Sequence, residues 1–294
     1  MATARGAASS DTPTYPYFRT RVVRSAQLTP HLTRITVGAP ELAGFPDRGP
    51  DQHLKLFFPR PGQGEPEIPP FEDDDVASWY RRYLAMPDDV RPDMRTYTAR
   101  AFRPDAAELD IDFVLPGERA GAGGPAARWA ERAAPGDPVG VLASTSEYHP
   151  PATAAWLLLV GDHSALPAIA TILESVDPDL QVLAYLELED PADELPLPIG
   201  PRSRLRWVPR TARDAAPGDA VANALRHADF PLGTPYAWLA GEAGLVRSVR
   251  RHLANGRAVP KRMITFAGYW RRGKAENDAY TEQELAELGV GQQS

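Results

Sequence analysis

The tetrapeptide Arg95-Thr96-Tyr97-Thr98 puts a permanent cation, a flat aromatic ring and a hydroxyl within four residues. On an extended strand Arg95 and Tyr97 share one face, and Thr98 turns to the other unless the strand ends there. Together these groups suit a flavin nucleotide. Arg95 would hold the pyrophosphate, Tyr97 would lie against the ring system, and Thr98 would reach the reactive nitrogen N5. Taken alone, an Arg-x-Tyr strand is more often plain surface pairing. A second stretch runs Asp110-Ile111-Asp112-Phe113-Val114-Leu115-Pro116-Gly117 and then Gly124-Pro125-Ala126-Ala127-Arg128-Trp129. Gly and Pro opening a helix leave N–H groups at the positive end of its dipole, where phosphate binds. An ordinary loop-to-helix transition reads the same way. The third stretch, Leu159-Val160-Gly161-Asp162-His163-Ser164, has the position of a nucleotide-binding turn with Ser164 as helix cap. It lacks G-x-G-x-x-G, and His163 reads as a packed or solvated side chain rather than an acid–base.

These stretches need elements to hold them. Between residues 15 and 143 short β-rich runs alternate with turn residues, at 19–25, 32–37, 53–58, 95–102, 108–115 and 138–142. Leu109, Ile111 and Phe113 fall on one face of such a run, with Asp110 and Asp112 on the other. Many short antiparallel strands with Gly/Pro turns predict a small closed barrel. Residues 61–94 are a Pro- and Asp-rich insertion with a short helix expected at 75–83, and a further helix is expected from Gly124-Pro125 to 133. Beyond Pro150-Pro151 the pattern changes to βα alternation. Strands are expected at 156–160, 181–188, 205–208, 236–240 and 263–269. Helices are expected at 165–175, 219–227, 243–255 and 281–288. That alternation predicts an open parallel sheet. The organisation expected is a disordered leader at 1–14, a barrel domain at 15–150 and an α/β domain with a C-terminal helix at 151–294.

The 294 residues include no cysteine, which removes disulfides, thiolate metal sites and a cysteine nucleophile. The six histidines never fall at HxxxH or HxH spacing, so no metal site is expected on the protein itself. The longest apolar run, residues 154–160, is far short of the ~20 residues that span a bilayer, and no apolar segment follows the N-terminus. Membrane insertion is therefore not expected, and a cytoplasmic location is the default. A net charge of −7 argues against general nucleic-acid binding. Yet residues 245–275 carry nine basic side chains and no acidic one: Arg247, Arg250, Arg251, Arg257, Lys261, Arg262, Arg271, Arg272 and Lys274. Such a block in an acidic protein favours an anionic ligand or partner.

In their order and spacing, the three stretches and Gly268-Tyr269-Trp270-Arg271-Arg272-Gly273 resemble the siderophore-interacting proteins. These are flavin-dependent ferric-siderophore reductases related to ferredoxin–NADP reductases. The likeness runs from about Tyr17 to the final helix and includes His53-Leu54-Lys55-Leu56-Phe57. It implies a Greek-key FAD barrel followed by a domain similar to NAD(P)-binding modules. FAD would rest on Arg95, Thr96, Tyr97 and Thr98, with contacts from Asp112, Phe113, Val114, Leu115, Gly117, Gly124, Pro125, Ala126 and Ala127. Asp162, Ser164, Tyr269 and Trp270 would lie on the flavin or nicotinamide side. Thr98, Lys55 and Arg247 would serve the electron transfer, and Lys55, Arg128, Arg247, Arg271 and Lys274 would draw in the anionic ferric siderophore. NAD(P)H or a reduced ferredoxin would be the donor, and the chain is expected to be a monomer.

The sequence departs from the family where Leu115-Pro116-Gly117 replaces Leu-His-Gly, and where Ala127 replaces a serine. His163 and Ser164 replace the usual acidic residue and threonine. Loss of a histidine and a serine beside the flavin removes two hydrogen bonds of roughly 1 kcal/mol each. Two alternatives therefore stand beside ferric-siderophore reduction. One is a general NAD(P)H flavin oxidoreductase, and the other a non-catalytic siderophore- or partner-binding module with a decayed flavin site.

Overall fold

The computed structural model of the chain describes residues 15–71, 76–115, 124–210 and 216–274. The leader expected at 1–14, Pro116, Gly117 and the helix expected at 281–288 lie outside the described residues.

Seven strands form the first sheet: β1 (Tyr17–Thr29), β2 (Leu32–Gly38), β3 (His53–Phe58), β4 (Asp93–Thr98), β5 (Ala101–Arg103), β6 (Glu108–Val114) and β7 (Pro138–Ala143). All neighbours are antiparallel, in the order β4-β3-β7-β1-β2-β6-β5. The run 95–102, which reads as one strand, is two. Ala99 N donates to the Gln52 carbonyl on one side, and Arg100 N donates to the Asp110 carbonyl on the other. The chain changes partners between these two residues, and β4 and β5 stand at opposite ends of the strand order. That crossing curls the sheet into a barrel, and period-2 patterning cannot show it. Leu109, Ile111 and Phe113 of β6 point inward and are fully buried with Ile35, Leu54, Leu56 and Val141. On the outward face Asp110 accepts from Thr36 Oγ1 at 2.6 Å and from both Arg103 terminal nitrogens, so this buried carboxylate is satisfied.

Between β3 and β4 lies α1 (Val76–Leu84), which brings Trp79 and Tyr83 onto Phe57, Met94 and Leu142 as a separate aromatic cluster. The Pro-rich insertion closes around it by donation from Trp79 Nε1 to the Pro69 carbonyl and from the Tyr83 hydroxyl to that of Pro92. Helix α2 (Pro125–Ala130) precedes β7.

The second sheet is wholly parallel: β8 (Trp156–Asp162), β9 (Val182–Leu188), β10 (Arg204–Pro209), β11 (Pro235–Glu242) and β12 (Ile264–Trp270). Its order is β10-β9-β8-β11-β12, with helices α3 (Leu166–Ser175), α4 (Asp219–Arg226) and α5 (Ala243–Arg251). Every residue of β8, β9 and β11 is buried, as apolar runs covered on both faces require. Helix α5 ends earlier than expected because the chain widens into a π turn at His252–Gly256. There Arg257 caps the carbonyls of Leu225, Arg226 and Ala228 and lies 4.4 Å over Phe230. This member of the basic block is therefore structural.

A buried carboxylate joins the two sheets. Asp51, 1% exposed, has a left-handed backbone (φ 58°) of the kind Asp tolerates. Its Oδ1 accepts from Ser146 Oγ at 2.8 Å, Glu147 N at 2.9 Å and Tyr148 N at 3.2 Å, and its Oδ2 accepts from Trp238 Nε1 at 2.7 Å. Its backbone N–H donates to Thr171 Oγ1 on α3. Elsewhere Asp193 accepts from Thr29 Oγ1 and from His31 N and Nδ1, tying the β1–β2 turn to the segment after β9. The Asp51→Asn variant keeps the shape but turns an NH2 group toward either Trp238 or the Oδ1 donors. Chemical denaturation should show a loss of about 1–3 kcal/mol, and Asp51→Ala should lose more.

Candidate functional site

Strand pairing sorts the flavin motif onto two faces. In the β3–β4 register His53 opposes Thr98 and Lys55 opposes Thr96, so these four share one face. Lys55 Nζ donates to Thr96 Oγ1 at 2.5 Å. Leu54 opposes Tyr97 and Leu56 opposes Arg95 on the reverse face. There Tyr97 lies against Phe113, ring centroids 4.4 Å apart, and Phe113 meets Trp129 of α2 at 5.6 Å. Arg95 donates to the Met94 carbonyl at 2.6 Å. Arg95 and Tyr97 thus lie on one side of the strand end and Thr98 on the other.

The face that carries Thr98 is closed by the second sheet. Tyr269 of β12 sits edge-on to His53 at 5.8 Å and to Trp238 at 6.4 Å. The Tyr269 hydroxyl lies beside Thr98, and burial, followed by the Asp51 charge, pushes its pKa up. Burial likewise holds the His53 imidazole below its ordinary range, against the raising influence of Asp51 and Glu147. His53 Nε2 is buried with no hydrogen-bond partner among the described residues, and the buried Tyr269 hydroxyl has only the Thr98 side chain close by, in poor hydrogen-bond geometry, to offset its burial. An unsatisfied buried polar atom costs about 1–3 kcal/mol, and one such atom with a poorly satisfied one beside the same threonine fits the polar edge of a heteroaromatic ring. FAD matches this chemistry.

The second stretch divides as well. Gly124 precedes α2 with Pro125 in its first turn; Ala126 is buried, Ala127 half-buried and Arg128 exposed. The Leu115 N–H is already bonded to the His31 carbonyl. Val114 is half-buried at the end of β6. Asp112 turns outward, where Arg34 binds it through two nitrogens at 2.7 and 2.9 Å and Arg100 stands at 3.8 Å. Its carboxylate lines a cleft of about 200 Å³ with Arg34, Arg100, Leu166, Pro167 and Leu197, away from α2. Only its backbone is left for a cofactor on the α2 side.

Where the strand order reverses between β8 and β11, an α/β sheet ordinarily opens a nucleotide crevice. Here the chain's own carboxylates hold it. Asp162 Oδ1 accepts from Ser164 N at 2.9 Å and Ser164 Oγ at 2.5 Å, and its Oδ2 accepts from Glu242 N at 2.7 Å and Trp270 Nε1 at 2.9 Å. Glu242 in turn accepts from Gly244 N and Leu245 N at the start of α5. Asp162, Ser164 and the Trp270 indole N–H, all read from the sequence as cofactor contacts, bind one another. The N–H groups of Ser164, Glu242, Gly244 and Leu245 at this reversal already have carboxylate acceptors.

The basic block is split between the two ends of the sheet: Arg271, Arg272 and Lys274 follow β12, whereas Arg250 and Arg251 end α5 and Arg257, Lys261 and Arg262 lie between α5 and the start of β12. Arg250 lies 4.1 Å over Phe266, Arg247 and Arg271 are half-buried, and Arg272 and Lys274 are exposed. Lys55 stands on β3 and Arg128 on α2. Sequence reasoning did not assign roles to His53, Asp51, Trp238 or Glu242. His53 was within reach, since alternation from Lys55 places it on the same face; the other three depend on contacts between distant segments.

Gly241 has φ 130°, and a Cβ there would stand 2.7 Å from the Asp162 carboxyl carbon. Gly241→Ala should displace Asp162 from Glu242 N and Trp270. The expected reading is a lower melting temperature with altered Trp fluorescence; an unchanged melting curve would contradict the packing described.

Comparison with known proteins agrees with this geometry. Residues 21–147 match the siderophore-interacting FAD-binding domain and residues 154–273 the siderophore-interacting protein model. The chain is 32% identical over 263 residues to the ferric vibriobactin reductase ViuB of Vibrio cholerae, covering 89% of this chain and 91% of that one. The crystal structure of a siderophore utilization protein from T. fusca superposes with a TM-score of 0.74 at 34% identity, covering 90% of this chain and 96% of the other. The ferredoxin reductase in carbazole 1,9a-dioxygenase shares the fold at 15% identity and a TM-score of 0.59, over 86% of this chain and 69% of that one. A barrel sheet followed by a parallel sheet, matched along nearly its whole length, makes this chain a member of the siderophore-interacting protein family.

Proposed function

We propose that the chain is an FAD-dependent reductase that passes electrons to Fe(III) held in a siderophore and so releases Fe(II). The observation that carries this reading is a pair of buried polar atoms, the unpartnered His53 Nε2 and the poorly satisfied Tyr269 hydroxyl, set beside Thr98 with Lys55 on the same face. The name of ViuB, a ferric vibriobactin reductase, supports it.

Bound FAD supplies the step between a two-electron donor and one-electron acceptors. Thr98, His53 and Tyr269 bind the polar edge of its ring, and Tyr97 with Arg95 holds it from the barrel side. The start of α2, from Gly124 to Ala127, and the backbone of 112–115 support the phosphates. Tyr269 and Trp238 exclude water from the ring. Lys55 and Arg247 hold the anionic chelate near the flavin, with Arg128, Arg271 and Lys274 extending the positive field outward. The iron keeps the siderophore's own ligands, so the protein needs none. Among the described residues there is no group of three or more His, Asp or Glu side chains arranged to hold a metal ion. Hard oxygen ligands bind Fe(II) less tightly than Fe(III), and reduction loosens the metal.

NAD(P)H or a reduced ferredoxin is the donor. The carboxylates at the β8–β11 reversal favour a donor that does not seat a pyrophosphate on the turn after β8 or on the start of α5. A cytoplasmic monomer fits this role, and no helix among the described residues is long and apolar enough to cross a membrane.

The test is anaerobic. Purified protein loaded with FAD should bleach with one donor and recover its flavin band on addition of a ferric catecholate, with Fe(II) captured by a ferrous chelator. A protein that takes up no FAD, or whose reduced flavin is indifferent to the ferric chelate, would contradict the proposal. Lys55→Ala and Arg247→Ala should each raise KM for the ferric catecholate about tenfold, equivalent to ~1.4 kcal/mol, with flavin content intact. Arg95→Ala should purify depleted of flavin.

A further inference from the structure

We propose that His53 is the proton acceptor coupled to flavin reduction: its Nε2 binds a proton when the bound ring gains electrons and releases it when they leave. The inference rests on the flavin reading above and concerns a residue to which that reading gives only a binding contact.

Geometry carries it. His53 and Thr98 are directly opposed across β3 and β4, so the imidazole shares the face on which the threonine meets the ring. Its main chain is fixed on both sides, His53 N donating to the Thr145 carbonyl and its own carbonyl accepting from Ser144 N. Tyr269 packs edge-on against the ring, and Nε2 is left buried and unpartnered. Asp51, the nearest buried carboxylate, has both oxygens occupied by Ser146, Glu147, Tyr148 and Trp238 and does not bond the imidazole.

The charges around His53 are few. Asp51 from the loop before β3 and Glu147 from the segment after β7 favour the imidazolium, and Lys55 on β3 itself disfavours it. Thr98 from β4 and Tyr269 from β12 are neutral, the tyrosine held so by burial. Burial dominates and keeps the imidazole neutral beside an uncharged ligand. A negative charge arriving in the same water-poor space opposes that balance, because it attracts a proton and the unpartnered Nε2 is placed to hold it.

The step balances. A hydride donor, or an electrode, delivers two electrons, and with one proton the ring becomes an anionic reduced flavin. A second proton from solvent forms the N–H bond at His53 Nε2. When two ferric ions take the electrons, the proton gained with them at the ring and the proton on the imidazolium both return to solvent.

The measurement is the midpoint potential of the FAD-loaded protein from pH 5.5 to 9 by spectroelectrochemistry, for wild type, His53→Gln and His227→Gln, the last an exposed histidine at the end of α4. Near neutral pH the wild type should take up two protons per two electrons and His53→Gln one, so the slope against pH halves in the variant. His227→Gln should keep the wild-type slope. Equal slopes for wild type and His53→Gln would overturn the proposal and leave the reductase reading standing, whereas wild-type protein without FAD would overturn both. If His53→Gln fails to fold or to retain FAD, ¹⁵N-histidine spectra of the wild type decide. Nε2 should be bare at pH 7 in the oxidised protein and protonated in the reduced one, and the same state in both would overturn the assignment.

Discussion

The site depends on one buried carboxylate. Asp51 lies in the loop that leads into β3, and its two oxygens bind the segment after β7 on one side and Trp238 of β11 on the other. Together with the Asp193 junction to Thr29 and His31 and the Arg100–Glu174 ion pair, that tie holds the parallel sheet against the barrel. Of the three, it is the one that reaches the loop leading into the strand that carries His53 and Lys55. Four donors on one ionised group form a strong, directional junction, and a buried charge so satisfied is costly to disturb. Trp238 carries the junction onward to Tyr269, which rests on its ring. The wall of the flavin site is therefore built by contacts between segments nearly 190 residues apart in the chain (|i−j| of 187 for Asp51 and Trp238).

A second constraint is the distribution of charge at the far ends of the parallel strands. Asp162 caps the turn that follows β8 and Glu242 the start of α5, and Asp162 also anchors Trp270. Trp270 follows Tyr269 directly, so Asp162 also fixes the chain beside the tyrosine. Positive charge lies elsewhere, on β3, α2, α5 and the end of β12. Within the basic block Arg257 and Arg250 are engaged with carbonyls or aromatic rings, and Arg271, Arg272 and Lys274 follow the end of β12.

Much of the architecture was legible in the sequence. Leu109, Ile111 and Phe113 announced an alternating strand, and the uninterrupted apolar run of β8 announced a covered parallel one. The motif at 95–98 marked the strand end at which the two faces meet. The crossing at Ala99 and Arg100 was hidden, because a strand that changes partners keeps its local pattern. The closure of the nucleotide turn was hidden too: Asp162 and Ser164 have the residue types of a phosphate turn, and only the approach of Glu242 and Trp270 turns them inward. Asp51 gave no local signal, since an acidic residue in a Gly-Pro-Asp turn reads as solvated. His53 was readable by counting two residues back from Lys55 along the strand.

The central claim is that the two buried polar atoms beside Thr98 receive the flavin ring. A crystal structure of the FAD-loaded protein tests it most directly. The account predicts the ring edge within hydrogen-bond distance of Thr98 Oγ1, with His53 Nε2 and the Tyr269 hydroxyl both gaining partners and Tyr97 on the opposite side. A flavin bound elsewhere, with neither of those two atoms gaining a partner, would contradict it.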